Sequence, residues 1–166
     1  MSAFVIDAFE FCRNNNGYRE GVTPVAEMTR LAADCADASG EITWSIQGGT
    51  TPEGYPTMTL SVAGLVQLSC QRCLAPFGYE IDSSTQLVLG VDDEEADGIE
   101  EILDDESIDV IVGSRECDIR QLLEDEALLA LPQSPKHEQC PDTKLLDALK
   151  SEKVSPFAGL KNLKSE

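Results

Sequence analysis

Between Met58 and Val91 most of the large apolar positions of this chain fall first on one parity and then on the other. Met58, Leu60, Val62, Val66, Leu68 and Cys70 are even; Phe77, Tyr79, Ile81, Leu87, Leu89 and Val91 are odd. Strict alternation marks a strand with one buried face. The two runs flank a turn-forming stretch at 71–76, so they predict a long antiparallel hairpin with Cys70 and Cys73 at its tip. Gly64 interrupts the first run and predicts a bend or bulge. A shorter alternation, Ile42, Trp44 and Ile46, predicts another strand closed by Gly48 and Gly49, and Ile108, Val110 and Val112 predict one more.

The remaining periodic segments are helical. Residues 6–14 predict a short helix that Asn14, Asn15, Asn16 and Gly17 stop through turn chemistry. Thr23 and Pro24 read as N-cap and first helical residue, followed by Val25, Met28, Leu31, Ala32 and Cys35 at helical spacing, with Gly40 as the end. That stripe makes Cys35 a buried packing thiol. Asp118 and Gln121 form a capping-box-like start to a helix running to Leu131 and ended by Pro132. Its apolar face collects Ile119, Leu122, Leu123, Ala127, Leu129 and Ala130, with Glu126 inside the same arc. The elements add up to a single α+β domain over residues 1–142, an antiparallel sheet with a long hairpin packed by helices.

Charge changes this picture in two places. The chain has 166 residues, with 31 Asp and Glu against 12 Lys and Arg, a net charge of −19. Binding to a phosphate backbone needs Lys and Arg to displace counterions, so extensive direct contact with RNA or DNA is disfavoured, and a basic protein is the more natural partner. Within residues 92–106 ten of fifteen are acidic, and their repulsion predicts a solvated loop. Residues 143–166 instead concentrate Lys144, Lys150, Lys153, Lys161 and Lys164 around Val154, Phe157, Leu160 and Leu163, which reads as a basic C-terminal tail. Residues 1–9 show neither a basic leader nor a signal-peptide apolar run, and no segment reaches the length of a membrane span. The expectation is a cytoplasmic protein with no membrane partner.

The candidate chemistry lies in the thiols. Six cysteines without an export signal read as reduced thiols or metal ligands rather than a disulfide set. Cys70-x-x-Cys73 and His137-x-x-Cys140, separated by sixty-three residues, would supply three sulfurs and an imidazole, a tetrahedral donor set for one structural Zn²⁺. His137 is the only histidine. A thiol redox centre is an alternative, although Cys-x-x-Cys here follows a strand and opens no helix that would depress a thiol pKa. There is no Gly-rich phosphate loop and no dinucleotide fingerprint. An RNA-processing enzyme that collects carboxylates around metal ions is a further alternative, with Glu124, Asp125 and Glu126 as its best candidates.

Three blocks carry a family resemblance. They are LSCQRCLAPF at 68–77, LEDEALLALP at 123–132 with Pro135, His137 and Cys140 after it, and SPFAGL at 155–160. In order and spacing they resemble the YceD family, the large ribosomal RNA subunit accumulation proteins. The resemblance implies a bacterial cytoplasmic protein, with plastid relatives, needed for synthesis, processing or stability of 23S ribosomal RNA. It supplies no catalytic residues. Reconciled with the charge, it implies a non-enzymatic ribosome biogenesis factor that acts through a basic large-subunit ribosomal protein or another assembly factor. Glu124, Asp125, Glu126 and Phe157 are the candidate partner-binding residues.

Overall fold

The structure, a computed structural model, describes residues 4–13, 17–105 and 107–141. The predicted basic tail at 143–166, with Phe157, lies outside the described residues, as do Asn14, Asn15, Asn16 and Glu106. In chain order the elements are β1 (Val5–Ile6), α1 (Ala8–Arg13), β2 (Tyr18–Pro24), a 3₁₀ turn (Val25–Glu27), α2 (Thr29–Asp34), β3 (Glu41–Thr50), β4 (Pro56–Ser69), β5 (Pro76–Gly90), α3 (Asp93–Leu103), β6 (Asp109–Val112), β7 (Cys117–Asp118) and α4 (Ile119–Leu129). Five strands form one sheet in the order β2-β3-β4-β5-β6, and β1 pairs with β7 in a second, two-stranded sheet. This is the α+β architecture the hydrophobic pattern predicts. Among the described residues, no helix is long and apolar enough to cross a membrane.

The predicted hairpin is β4 and β5, antiparallel from Thr57 opposite Val88 to Ser69 opposite Pro76. Even residues of β4 and odd residues of β5 share one face. Leu60, Val62, Val66, Leu68 and Ile81 are buried there, together with Ile42, Trp44 and Ile46 of β3. Onto this face pack Leu31 of α2, Ile119, Leu123 and Ala127 of α4, and Ala8 and Cys12 of α1. The opposite face is solvated over much of its length, as Thr43, Gln47, Thr59, Glu80 and Asp82 illustrate, but Thr57 and Val88 are buried on it at the end from which α3 departs.

Gly64 is no bulge. Both of its pairings, with Ile42 and with Ile81, continue an unbroken register. The glycine is needed for another reason: a Cβ there would sit 2.4 Å from the Glu41 carbonyl oxygen. Gly48 and Gly49 do not close β3, which runs through both to Thr50.

Three predicted elements differ from those observed. Thr23 and Pro24 end strand β2 instead of opening a helix, and the helix starts at Thr29. The Thr23 hydroxyl, a potential cap, instead accepts a hydrogen bond from Trp44 Nε1 at 2.9 Å. On α4, Leu129 is 79% exposed and not part of the packed face; the helix ends there, with Ala130 as its C-cap.

The third correction concerns the acidic stretch at 92–106, which is not a loop. Residues 93–103 form α3, and the charges help to make it. Asp92 is the N-cap, its carboxylate accepting from Glu95 N at 2.9 Å, while Glu95 reaches back to accept from Val91 N at 2.7 Å. Carboxylates in the first turn of a helix meet the positive end of the peptide dipole, so Asp93, Glu94 and Glu95 stabilise what their mutual repulsion alone would oppose. Ala96 and Ile99 are buried, and Gly90 lets the helix lie close to β5, since a Cβ there would be 2.8 Å from Ala96 N. Topology requires such a crossover. β6 runs parallel to β5, and a parallel neighbour cannot be reached through a tight turn.

Replacing the cap tests this directly. Asp92→Ala is expected to lower the unfolding free energy by about 1 kcal/mol in urea titration and to reduce far-ultraviolet helix signal. A solvated loop at 92–106 would show neither change.

Candidate metal centre

The turn between β4 and β5 folds back on itself. Cys70 N donates to Ala75 O at 3.0 Å and Leu74 N to Cys70 O at 2.8 Å, and Leu74 adopts a left-handed φ of 62°. This brings Cys70 and Cys73, both buried, to one side of the tip.

The second half of the cluster arrives along α4. That helix follows the hairpin toward its tip: Ser83 Oγ donates to Glu126 at 2.5 Å, and Tyr79 OH donates to the Ala130 carbonyl at 3.1 Å, satisfying a helix-end acceptor. After Pro132 the chain crosses the tip. Gln71 N donates to Pro135 O at 2.8 Å, and Ser134 Oγ donates to Gln71 Oε1 at 2.9 Å. The Phe77 ring lies 4.9 Å from the imidazole of His137, tilted by 42°.

All four predicted donors, Cys70, Cys73, His137 and Cys140, converge with their ligand atoms within 4.8 Å of one another, and the group could hold a metal ion. Cys70 Sγ is 3.9 Å from Cys140 Sγ, and Cys73 Sγ is 3.4 Å from His137 Nδ1. Sulfurs about 2.3 Å from a tetrahedral ion would be about 3.8 Å apart, so the observed separation suits ligation. All six cysteines are free thiols.

Electrostatics separates the cluster from the packing thiols. Burial pushes Cys12 up to about 11 and raises Cys35 and Cys117 as well, which leaves them protonated. Cys12 donates to Thr57 O inside the core. For Cys70, burial also works upward, but backbone N–H groups of Cys73, His137 and Arg72, with the His137 side chain, bring it down to about 5. Cys140 is raised by burial, by hydrogen bonds to Cys73 and Cys70, and by their charge. A divalent ion would relieve that repulsion, because ligation favours deprotonated thiols. The Cys-x-x-Cys opens no helix, so the helix-dipole effect of dithiol redox centres is absent here.

The three carboxylates 124–126 have different roles. Glu124 is buried, and its Oε1 accepts from Arg30 N at 2.7 Å and Leu31 N at 3.2 Å, which makes it the cap of α2 supplied from another helix. Its Oε2 meets Arg30 Nε at 3.2 Å. Glu126 is buried under Ser83. Asp125 is half exposed and pairs with Arg30 at 2.5 Å. Arg30, Ser83, Tyr79, Gln71 and Phe77 were not legible as site residues. Each acts through a contact at least 43 residues away in sequence, and local periodicity carries no trace of such a contact.

A family model described as large ribosomal RNA subunit accumulation protein YceD matches residues 58–164, from the start of the hairpin past the loop that carries His137 and Cys140, and the chain belongs to that family. No solved structure matches the chain.

The carboxylate geometry makes a graded expectation. Glu124→Ala leaves two α2 amides uncapped and should destabilise the fold by about 2 kcal/mol. Asp125→Ala removes only a solvent-screened pair and should change stability by less than about 1 kcal/mol. Urea midpoints for the two variants measure the contrast; equal losses would refute the capping role.

Proposed function

From membership of the YceD family we propose that this chain is a non-enzymatic biogenesis factor for the large ribosomal subunit, supporting synthesis, processing or stability of 23S ribosomal RNA through a basic protein partner. The observation that carries the reading is the family match over residues 58–164. The net charge of −19 supports a basic ribosomal protein or assembly factor over bare RNA as the primary contact. The acidic residues of α3 support it further. Asp93, Glu94, Glu95, Asp97, Glu100 and Glu101 are all exposed on a capped helix, which presents a positioned negative surface to steer a cationic partner. Glu124 and Glu126 have internal partners, so Asp125 is the residue of that trio most available to a partner.

The cluster of Cys70, Cys73, His137 and Cys140 is read as one structural Zn²⁺ site. Three thiols and an imidazole suit zinc better than hard cations, which prefer oxygen. Bound there, the ion would tie the hairpin tip to the loop that follows α4.

Native mass spectrometry of protein purified without chelator should find one zinc per chain, absent from Cys70→Ser and Cys140→Ser. Chelation should lower the melting temperature by about 10 °C. A metal-free wild type with unchanged melting would discard zinc. For the partner, charge reversal at Glu94, Asp97 and Glu101 should weaken binding to purified basic large-subunit proteins by about tenfold at low salt and much less at high salt. A pull-down that recovers only RNA, and persists after ribosomal proteins are removed, would overturn the protein-partner reading.

A further inference from the structure

The sulfurs at the hairpin tip have a chemistry apart from ligation. Cys70 Sγ lies 3.9 Å from Cys140 Sγ, across 70 positions of sequence, and both are free thiols. We propose that Cys70 and Cys140 form a reversible oxidative modification site, a dithiol that hydrogen peroxide converts to a disulfide. The proposal rests on the positions of the sulfurs. It depends neither on the ribosomal reading nor on a bound ion.

Placement singles out this pair among the six thiols. Cys12 is shut in the core with its thiol donated to Thr57 O, and burial keeps Cys12, Cys35 and Cys117 in the protonated, unreactive form. Within the cluster, Cys73 Sγ has His137 Nδ1 as its neighbour at 3.4 Å, whereas Cys70 Sγ has the sulfur of Cys140. The loop is fastened beside this same pair. Its bonds to the tip, from Gln71 N to Pro135 O and from Ser134 Oγ to Gln71 Oε1, both end on the residue that follows Cys70. Access completes the arrangement: Cys70 and Cys73 are buried while Cys140 is partly exposed, so a small oxidant reaches the pair from the Cys140 side. A partly exposed thiol beside a second, resolving thiol is the layout of a peroxide-sensitive site.

The chemistry balances with peroxide as the only co-reactant. One sulfur attacks a peroxide oxygen, the O–O bond breaks, and the thiol proton leaves with the displaced oxygen as water, which gives a sulfenic acid. The second sulfur then attacks the sulfenic sulfur. The S–O bond breaks, and a second water departs with the remaining thiol proton. The two sulfurs together lose two electrons, and one peroxide becomes two waters. A dithiol reductant reverses the product by thiol–disulfide exchange. In the disulfide two of the four donors are withdrawn from ligation, because a metal requires them as thiolates. The cluster is therefore either a ligand set or a covalent bridge between the hairpin tip and the loop after α4.

The test treats the full chain, as purified, with hydrogen peroxide and maps its peptides without reduction. Intact mass should fall by two hydrogens per chain, reactive thiols should drop from six to four, and the peptide with Cys70 should be linked to the peptide with Cys140. Dithiothreitol should restore all six. Cys73→Ser should keep the link and Cys140→Ser should lose it. In urea the same treatment should scatter links among the six thiols, since the pairing is set by the fold. A link from Cys70 to Cys73, links between chains, oxidation that stops at a single sulfur, or the same selectivity in urea would each overturn the proposal. Zinc found by native mass spectrometry in a chain that forms no link from Cys70 to Cys140 would sink this inference and leave the zinc reading standing. The link in a chain that carries no zinc would do the reverse.

Discussion

The register of β4 against β5 is the constraint on which the other features depend. From Thr57 opposite Val88 to Ser69 opposite Pro76 the pairing has no slip. A shift of one residue would turn every core side chain of one strand to solvent. The same register aims Phe77, Tyr79, Ile81 and Ser83 at the face on which α4 lies. Ser83 then meets Glu126, Tyr79 meets Ala130, and Phe77 meets His137. Each step along the hairpin toward its tip is a step along α4 and the loop after it. The sixty-three residues between Cys73 and His137 are therefore no obstacle to a shared site. They form the second arm of a clamp whose spacing the hairpin sets.

The features read correctly from sequence are those in which a single face is buried. Alternation in β3, β4 and β5 reports directly on burial, so the hairpin and its Cys-bearing tip were visible. β2 was invisible for the same reason: it is an edge strand in which only Thr23 is buried, so it shows no alternation. Thr23 followed by Pro24 has the chemistry of a helix start, yet an indole donor 21 residues away takes the hydroxyl. α3 depends on the helix dipole, which favours carboxylates in the first turn and which a count of like charges leaves out. Ten carboxylates over 92–106 suggested a loop, while Asp92 and Glu95 close a reciprocal cap that needs those residue types. Leu129 shows the limit of a helical wheel: membership of an apolar arc does not supply a neighbour to pack against.

The cluster donors were legible because thiol and imidazole spacing is a chemical pattern, independent of fold. Their convergence was not, since it rests on contacts such as that of Gln71 with Pro135, where backbone supplies one partner. Glu124 makes the same point from the other side. By sequence it stands with Asp125 and Glu126 as a candidate for metal or partner binding. In the fold it is the cap of α2, holding that helix against α4.

The hairpin also separates two chemically different ends. α3 begins just beyond Gly90, whereas the cluster of Cys70, Cys73, His137 and Cys140 adjoins Ser69 and Pro76. The fifteen residues of β5 span about 45 Å at the rise of an extended strand, several times the Debye length of about 8 Å in physiological salt. Carboxylates on α3 therefore contribute little to the potential at Cys70 or Cys140, whose protonation is governed by groups within the cluster. A cationic partner drawn to α3 would leave the protonation of the thiols at the tip electrostatically undisturbed, and a change at the tip would leave the acidic helix presented as before. Coupling between the ends, if a partner produces any, has to pass mechanically through the register of the hairpin, because the long-range field is screened out.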